Sequence, residues 1–73
     1  MSPTRVLIDL CHAAGRGTPA FYSAVQIDAA IWNEQWSVAL REALRLHQSG
    51  EIPPHLLPRW RQLVSAIQEH VQP

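Results

Sequence analysis

The chain has 73 residues, with six arginines, six acids, no lysine and a net charge of zero when its four histidines are neutral. That balance gives little electrostatic support to non-specific nucleic-acid binding, and the 47% hydrophobic content argues against disorder. One cysteine excludes an intrachain disulfide and fits a reducing compartment.

This is the length of one domain, residues 1–73. A chain so small buries only about 60% of the surface its unfolded form exposes, and such domains commonly need a staple. With no disulfide and no zinc pattern, self-association is the staple that remains. The run from Val6 to Cys11 is too short, and too interrupted by Asp9, to serve as a signal-peptide core or membrane span. The expectation is a cytoplasmic protein with no membrane association. Arginine without lysine fits the codon usage of a GC-rich genome, and the expectation is a small bacterial-type protein.

Ser2-Pro3 reads as an N-cap followed by proline at the first helical position. Val6, Leu7, Leu10, Cys11 and Ala14 then keep helical spacing, Arg5 and Asp9 are placed to pair, and Gly15 is the stop. A buried strand over Val6-Leu7-Ile8 is the rival, since so short an apolar run has no decisive period. After the Gly15-Arg16-Gly17 connector, Thr18-Pro19 repeats the cap signature.

From Ala20 to Trp32 the sequence is apolar almost all round. Phe21, Val25, Ala29 and Trp32 form one stripe; Ala20, Ala24, Ile27 and Ile31 form another on the opposite flank. Two apolar faces need two neighbours. Beyond Pro19, no Gly or Pro interrupts the run from Thr18 to Gln48, which favours one long helix, although Asn33 could cap a second. Within Ile31 to Gly50, Trp32, Trp36, Ala39, Leu40, Ala43, Leu44, Leu46 and His47 fall on one side.

Glu51-Ile52-Pro53-Pro54 is a stiff turn, and Pro58 opens the last helix. Its apolar face is Trp60, Leu63, Val64, Ile67 and Val71, preceded by Leu56 or Leu57. Arg59, Gln62, Ser65, Gln68, Glu69 and Gln72 form the wet side. A short loop makes this helix fold back on residues 31–49, bringing Trp60 near their C-terminal half. The expected fold is all-α: three to four helices, a long central one at about 18–48, an antiparallel C-terminal one at about 58–71, associated as an oligomer.

Motifs for chemistry are sparse. The four histidines (His12, His47, His55, His70) lack the paired spacing of zinc ligands, so no metal and no cofactor are expected. His12 and His47 fit helix C-termini, where positive charge is favourable. Cys11 lies on the expected buried stripe, where a thiol behaves as a small apolar residue rather than a nucleophile. No acid pair suggests acid–base work. Gly15, Arg16, Gly17 and Thr18 lead into a helix start, where anions bind, but a C-cap glycine and an N-cap threonine produce the same letters.

Arg41, Arg45, Arg59 and Arg61 are candidate contacts for phosphates or an acidic partner, diluted by Glu34, Glu42 and Glu69. Trp32, Trp36, Leu40, Leu44, Trp60, Ile27 and Ile31 are the expected core or interface anchors. The leading expectation is a non-enzymatic interaction or adaptor module that binds itself through the central helix, and another protein besides. A nucleic-acid-binding regulator using the arginines is one alternative. An enzyme or cofactor binder with its site between subunits is the other.

Overall fold

The computed structural model describes residues 2–71, all of whose regular elements are helical: α1 (Arg5–Ala14), α2 (Pro19–Trp32), α3 (Trp36–Gln48), a 3₁₀ turn (Pro54–Leu56) and α4 (Leu57–Val71). The strand alternative for Val6-Leu7-Ile8 is therefore overturned, because Val6, Leu7 and Leu10 need helical spacing to enter one core. Helix α2 packs between α1 and α3, and α4 packs against α3 and returns to α1.

Each junction has a local cause. Helix α1 starts at Arg5 rather than at Pro3. The Ser2 and Thr4 hydroxyls bond each other at 2.8 Å, and the Arg5 N–H meets the Ser2 carbonyl at 3.1 Å, so Ser2-Pro3 forms a turn ahead of the helix. Thr18 does what its position suggests. Its hydroxyl accepts from the Phe21 N–H at 3.2 Å and donates to the Gly15 carbonyl at 2.9 Å, with Pro19 first in the helix. The 3₁₀ turn eases the chain from Pro53-Pro54 into α4, whose first residue is Leu57 with Pro58 next.

The single helix expected over 18–48 is broken at residues 33–35. Glu34 adopts the left-handed conformation, φ 58°. The Glu34 N–H then bonds the Ile31 carbonyl at 3.1 Å, and the Gln35 N–H reaches back to Ala30 at 2.8 Å. The Asn33 side-chain amide adds a bond to the Ala29 carbonyl, also 2.8 Å. These bonds satisfy the carbonyls that a helix end leaves open. The terminator is unusual in lacking glycine, which is why the letters do not announce it.

The core is Val6, Leu7 and Leu10 from α1, Ala20, Ala24, Ile27 and Ala30 from α2, Ala39, Ala43 and Leu46 from α3, and Trp60, Leu63 and Ile67 from α4. Ile52 and Leu56 close its lower edge from the connecting turn. Small side chains dominate the contributions of α2 and α3, allowing close backbone approach, while the bulk comes from Trp60 and the leucines. Helix α4 buries Trp60, Leu63 and Ile67 and half-buries Leu57, Val64 and Val71, as the periodicity predicts. Gln72, assigned to its wet side, lies outside the described residues.

Candidate functional site

Helix α2 has too much apolar surface for the bundle to absorb. One arc, Ala20, Ser23, Ala24, Ile27 and Ala30, is buried between α1 and α3. Across the helix from it, Tyr22 (59% exposed), Val25 (48%) and Trp32 (80%) stand in solvent with Ala29, and Phe21 is half-buried beside them. Ile8 of α1, 52% exposed, continues this surface, since Ile8 and Val25 border one groove with Cys11 and Asp28. Scattered exposed apolar residues are ordinary, but a contiguous strip along a helix is a candidate interaction surface.

The two ends of this strip differ. At the α2 N-terminus an open cleft of about 400 Å³ is lined by Cys11, His12, Gly15, Arg16 and Phe21. At the C-terminus a second open cleft, about 330 Å³, runs between Trp32 and Trp36 past Asp28 and Glu34. One end therefore offers an aromatic hollow with basic side chains, and the other offers indoles with two carboxylates.

The expected anchors separate into three groups. Ile27 and Trp60 are core, Ile31, Trp36 and Leu40 lie at its margin, and Trp32 and Leu44 are outside it. A core role for Trp32 and Leu44 is thus corrected. The break at Glu34 shifts the helical phase between Trp32 and Trp36, and α3 turns its buried arc toward Ala39, Ala43 and Leu46, away from Leu44. Trp36 stacks flat on His70, ring centroids 3.9 Å apart and planes 9° off parallel, pinning the start of α3 to the end of α4.

Two of the four candidate arginines are engaged within the bundle. Arg59 pairs with Asp9, which also faces Arg5, tying α4 to α1. Arg45 donates to Glu42 at 3.0 Å and to the Ser23 hydroxyl at 2.7 Å, while Ser23 donates to Glu42 at 3.1 Å. The Arg45 hydrogen bond holds the Glu42 carboxyl below its ordinary range, with the Ser23 bond and the charges of Arg45 and Arg41 assisting and partial burial opposing. That triangle satisfies the one buried polar side chain of α2, Ser23. Arg41 and Arg61 are exposed and have no ion-pair partner among the described residues.

Gly15, Arg16, Gly17 and Thr18 form the α1–α2 connector, with both glycines left-handed (φ 84° and 83°). The Thr18 hydroxyl is occupied as donor and acceptor inside the loop, so this segment is accounted for as a turn and a cap. His12 and His47 do lie in the last turns of α1 and α3. Burial, and secondarily the charge of Asp28, pushes the Cys11 thiol above its ordinary pKa, the opposite of what a nucleophile needs. Among the described residues no three His, Cys, Asp or Glu side chains gather as a metal site, and no helix is long and apolar enough to cross a membrane.

Comparison with protein-family models, with curated proteins and with solved structures finds no match to this chain.

The surface on α2 is half legible in the sequence. Its stripe, Phe21, Val25, Ala29 and Trp32, is legible from spacing alone. The contributions of Ile8 and Tyr22 are not, since Ile8 reads as part of the apolar run Val6-Leu7-Ile8. The signal that could have found them is that α1 already has Val6, Leu7 and Leu10 to fill one face.

Proposed function

We propose that this protein is a helical interaction module that associates with itself through the outward face of α2 and acts as a binding or adaptor element. One observation carries the reading: Tyr22, Val25, Ala29 and Trp32 stand exposed along the whole helix, on the side opposite its packed arc. Leaving these side chains in water forfeits burial worth on the order of 1.5–3 kcal/mol for each large one. Tryptophan and tyrosine are also the residues most concentrated at binding hot spots.

The arginine distribution lends less support to nucleic-acid binding, because Arg45 and Arg59 neutralise Glu42 and Asp9. The raised Cys11 thiol and the scattered acids likewise give little support to catalysis.

Sedimentation equilibrium over a wide dilution series tests the reading. The wild-type chain should shift between monomer and dimer with concentration, and Val25→Glu should be monomeric with unchanged helical circular dichroism. A wild-type chain that stays monomeric up to high micromolar concentration would sink it.

A further inference from the structure

The two unlike ends of the α2 face set how a second copy must lie on it. We infer that two copies associate antiparallel about a two-fold axis at Val25, each Trp32 seated in the partner's basic cleft and each Arg16 reaching the partner's acidic one. This rests on the reading that α2 is the self-association face, and it adds orientation, register and the residues in contact.

The argument is one of matching shapes and charges along one helix. Trp32 is the most exposed large apolar side chain among the described residues and stands at the C-terminal end of α2. An open hollow of about 400 Å³, with Phe21 and Arg16 on its walls, lies at the N-terminal end. A knob at one end and a hole at the other cannot both be used in a parallel pair, where like ends meet. Reversing one copy brings them together twice, once at each end, as a closed symmetric dimer requires.

Register follows from the helix repeat. With Val25 on the axis, Phe21 of one copy lies level with Ala29 of the other, so the bulky ring meets the smallest side chain on the face. Trp32 lies level with Thr18, which in sequence falls between Arg16 and Phe21 of the cleft wall. Arg16 falls level with Glu34, beside the cleft that Asp28 and both indoles line. A guanidinium between two carboxylates and an indole face gains both ion pairing and cation–π attraction.

Charge points the same way. Arg16, Asp28 and Glu34 have no ion-pair partner among the described residues. A parallel pair would set Asp28 against Asp28 and Arg16 against Arg16, which costs affinity. Ile8, beside Val25 across the α1–α2 groove, would lie near the axis and meet its own copy there.

The test uses the full chain carrying Cys11→Ser, so that single cysteines report proximity. Val25→Cys should yield a covalent dimer on oxidation, and Ala29→Cys should not. In the charge arm, Arg16→Glu and Glu34→Arg should each weaken dimerisation about tenfold, and the double variant should recover most of that loss. Trp32→Ala should weaken it at least about thirtyfold, as a hot-spot residue does, with the monomer's helicity unchanged. Equal cross-linking at Val25 and Ala29 would mean a parallel dimer, overturning the inference while leaving self-association through α2 intact. Charge variants that weaken binding without recovery in the double would overturn the Arg16 contact. A chain monomeric under all conditions would overturn this inference and the proposed function together.

Discussion

The indole of Trp60, wholly buried on α4, donates its Nε1–H to the backbone carbonyl of Ala43 on α3 at 3.2 Å. A fully buried indole must place that proton somewhere, and a carbonyl already inside a helix can accept a second bond. Ala43 has no side chain large enough to block the approach. Trp60→Phe keeps an aromatic ring but loses both the N–H donor and part of the indole's bulk, and should cost about 1–3 kcal/mol from the lost bond and the void left behind. Trp60→Ala should cost about 3–5 kcal/mol and come close to unfolding so small a domain. Urea denaturation of both variants decides. Nearly equal midpoints for wild type and Trp60→Ala would mean the indole is not the core element described here.

Glu34 is held at φ 58°, a region where side chains with a Cβ are strained by about 1–2 kcal/mol. Glycine there relieves the strain and loses only part of the gain to the freer unfolded chain. Glu34→Gly should therefore raise monomer stability by about 1 kcal/mol, measured at concentrations low enough to exclude association. A destabilised variant would show that the carboxylate supplies something the backbone geometry does not reveal.

Acid should weaken the link between α2 and α3. The Glu42 carboxyl sits below its ordinary value of 4.5, first because of the Arg45 hydrogen bond. A depressed carboxylate contributes stability that is complete above the unfolded value and disappears as pH falls through the folded one. Stability should then decline as pH drops below about 4.5, and Glu42→Gln should flatten that part of the profile. An identical slope in wild type and variant would remove Glu42 from the explanation.

The thiol of Cys11 should respond in the opposite direction. Burial, then the nearby Asp28 charge, raises its pKa above 9.0. The folded state thus favours the protonated thiol, and its contribution is lost as pH rises beyond that ordinary value. Alkylation by iodoacetamide near neutral pH should be slower than that of a free cysteine, and should accelerate in Asp28→Asn. Rapid alkylation of the folded wild type would contradict this placement.

The helices themselves were legible where capping and period agreed. Thr18-Pro19 marked the start of α2 to the residue, and Trp60, Leu63 and Ile67 marked the buried side of α4. The Glu34 break was not legible, because its terminator is built from backbone bonds and an asparagine amide rather than from glycine. The break also sets Trp32 out of phase with the buried arc of α3, leaving it exposed. Spacing shows that a helix has two apolar sides, but only packing decides which is covered. Here alanines took the inside, since α1 and α3 press close, and the aromatics were left out. The candidate arginines illustrate the same limit: exposure follows from periodicity, but the pairing of Arg59 with Asp9 spans most of the chain.

That pairing has a consequence for how the protein is made. Asp9 belongs to α1 and Arg59 to α4, so this bundle cannot be closed until α4 has followed α1, α2 and α3 out of the ribosome. Before then, the surfaces of α1 and α3 that α4 covers are open, Ala43 among them, while the outer side of α2 is open as well. The nascent chain thus displays the α4-facing surface in addition to the outer side of α2, and closing the bundle hides the first. Premature termination ahead of α4 would yield a fragment destined for aggregation or proteolysis rather than a smaller working module.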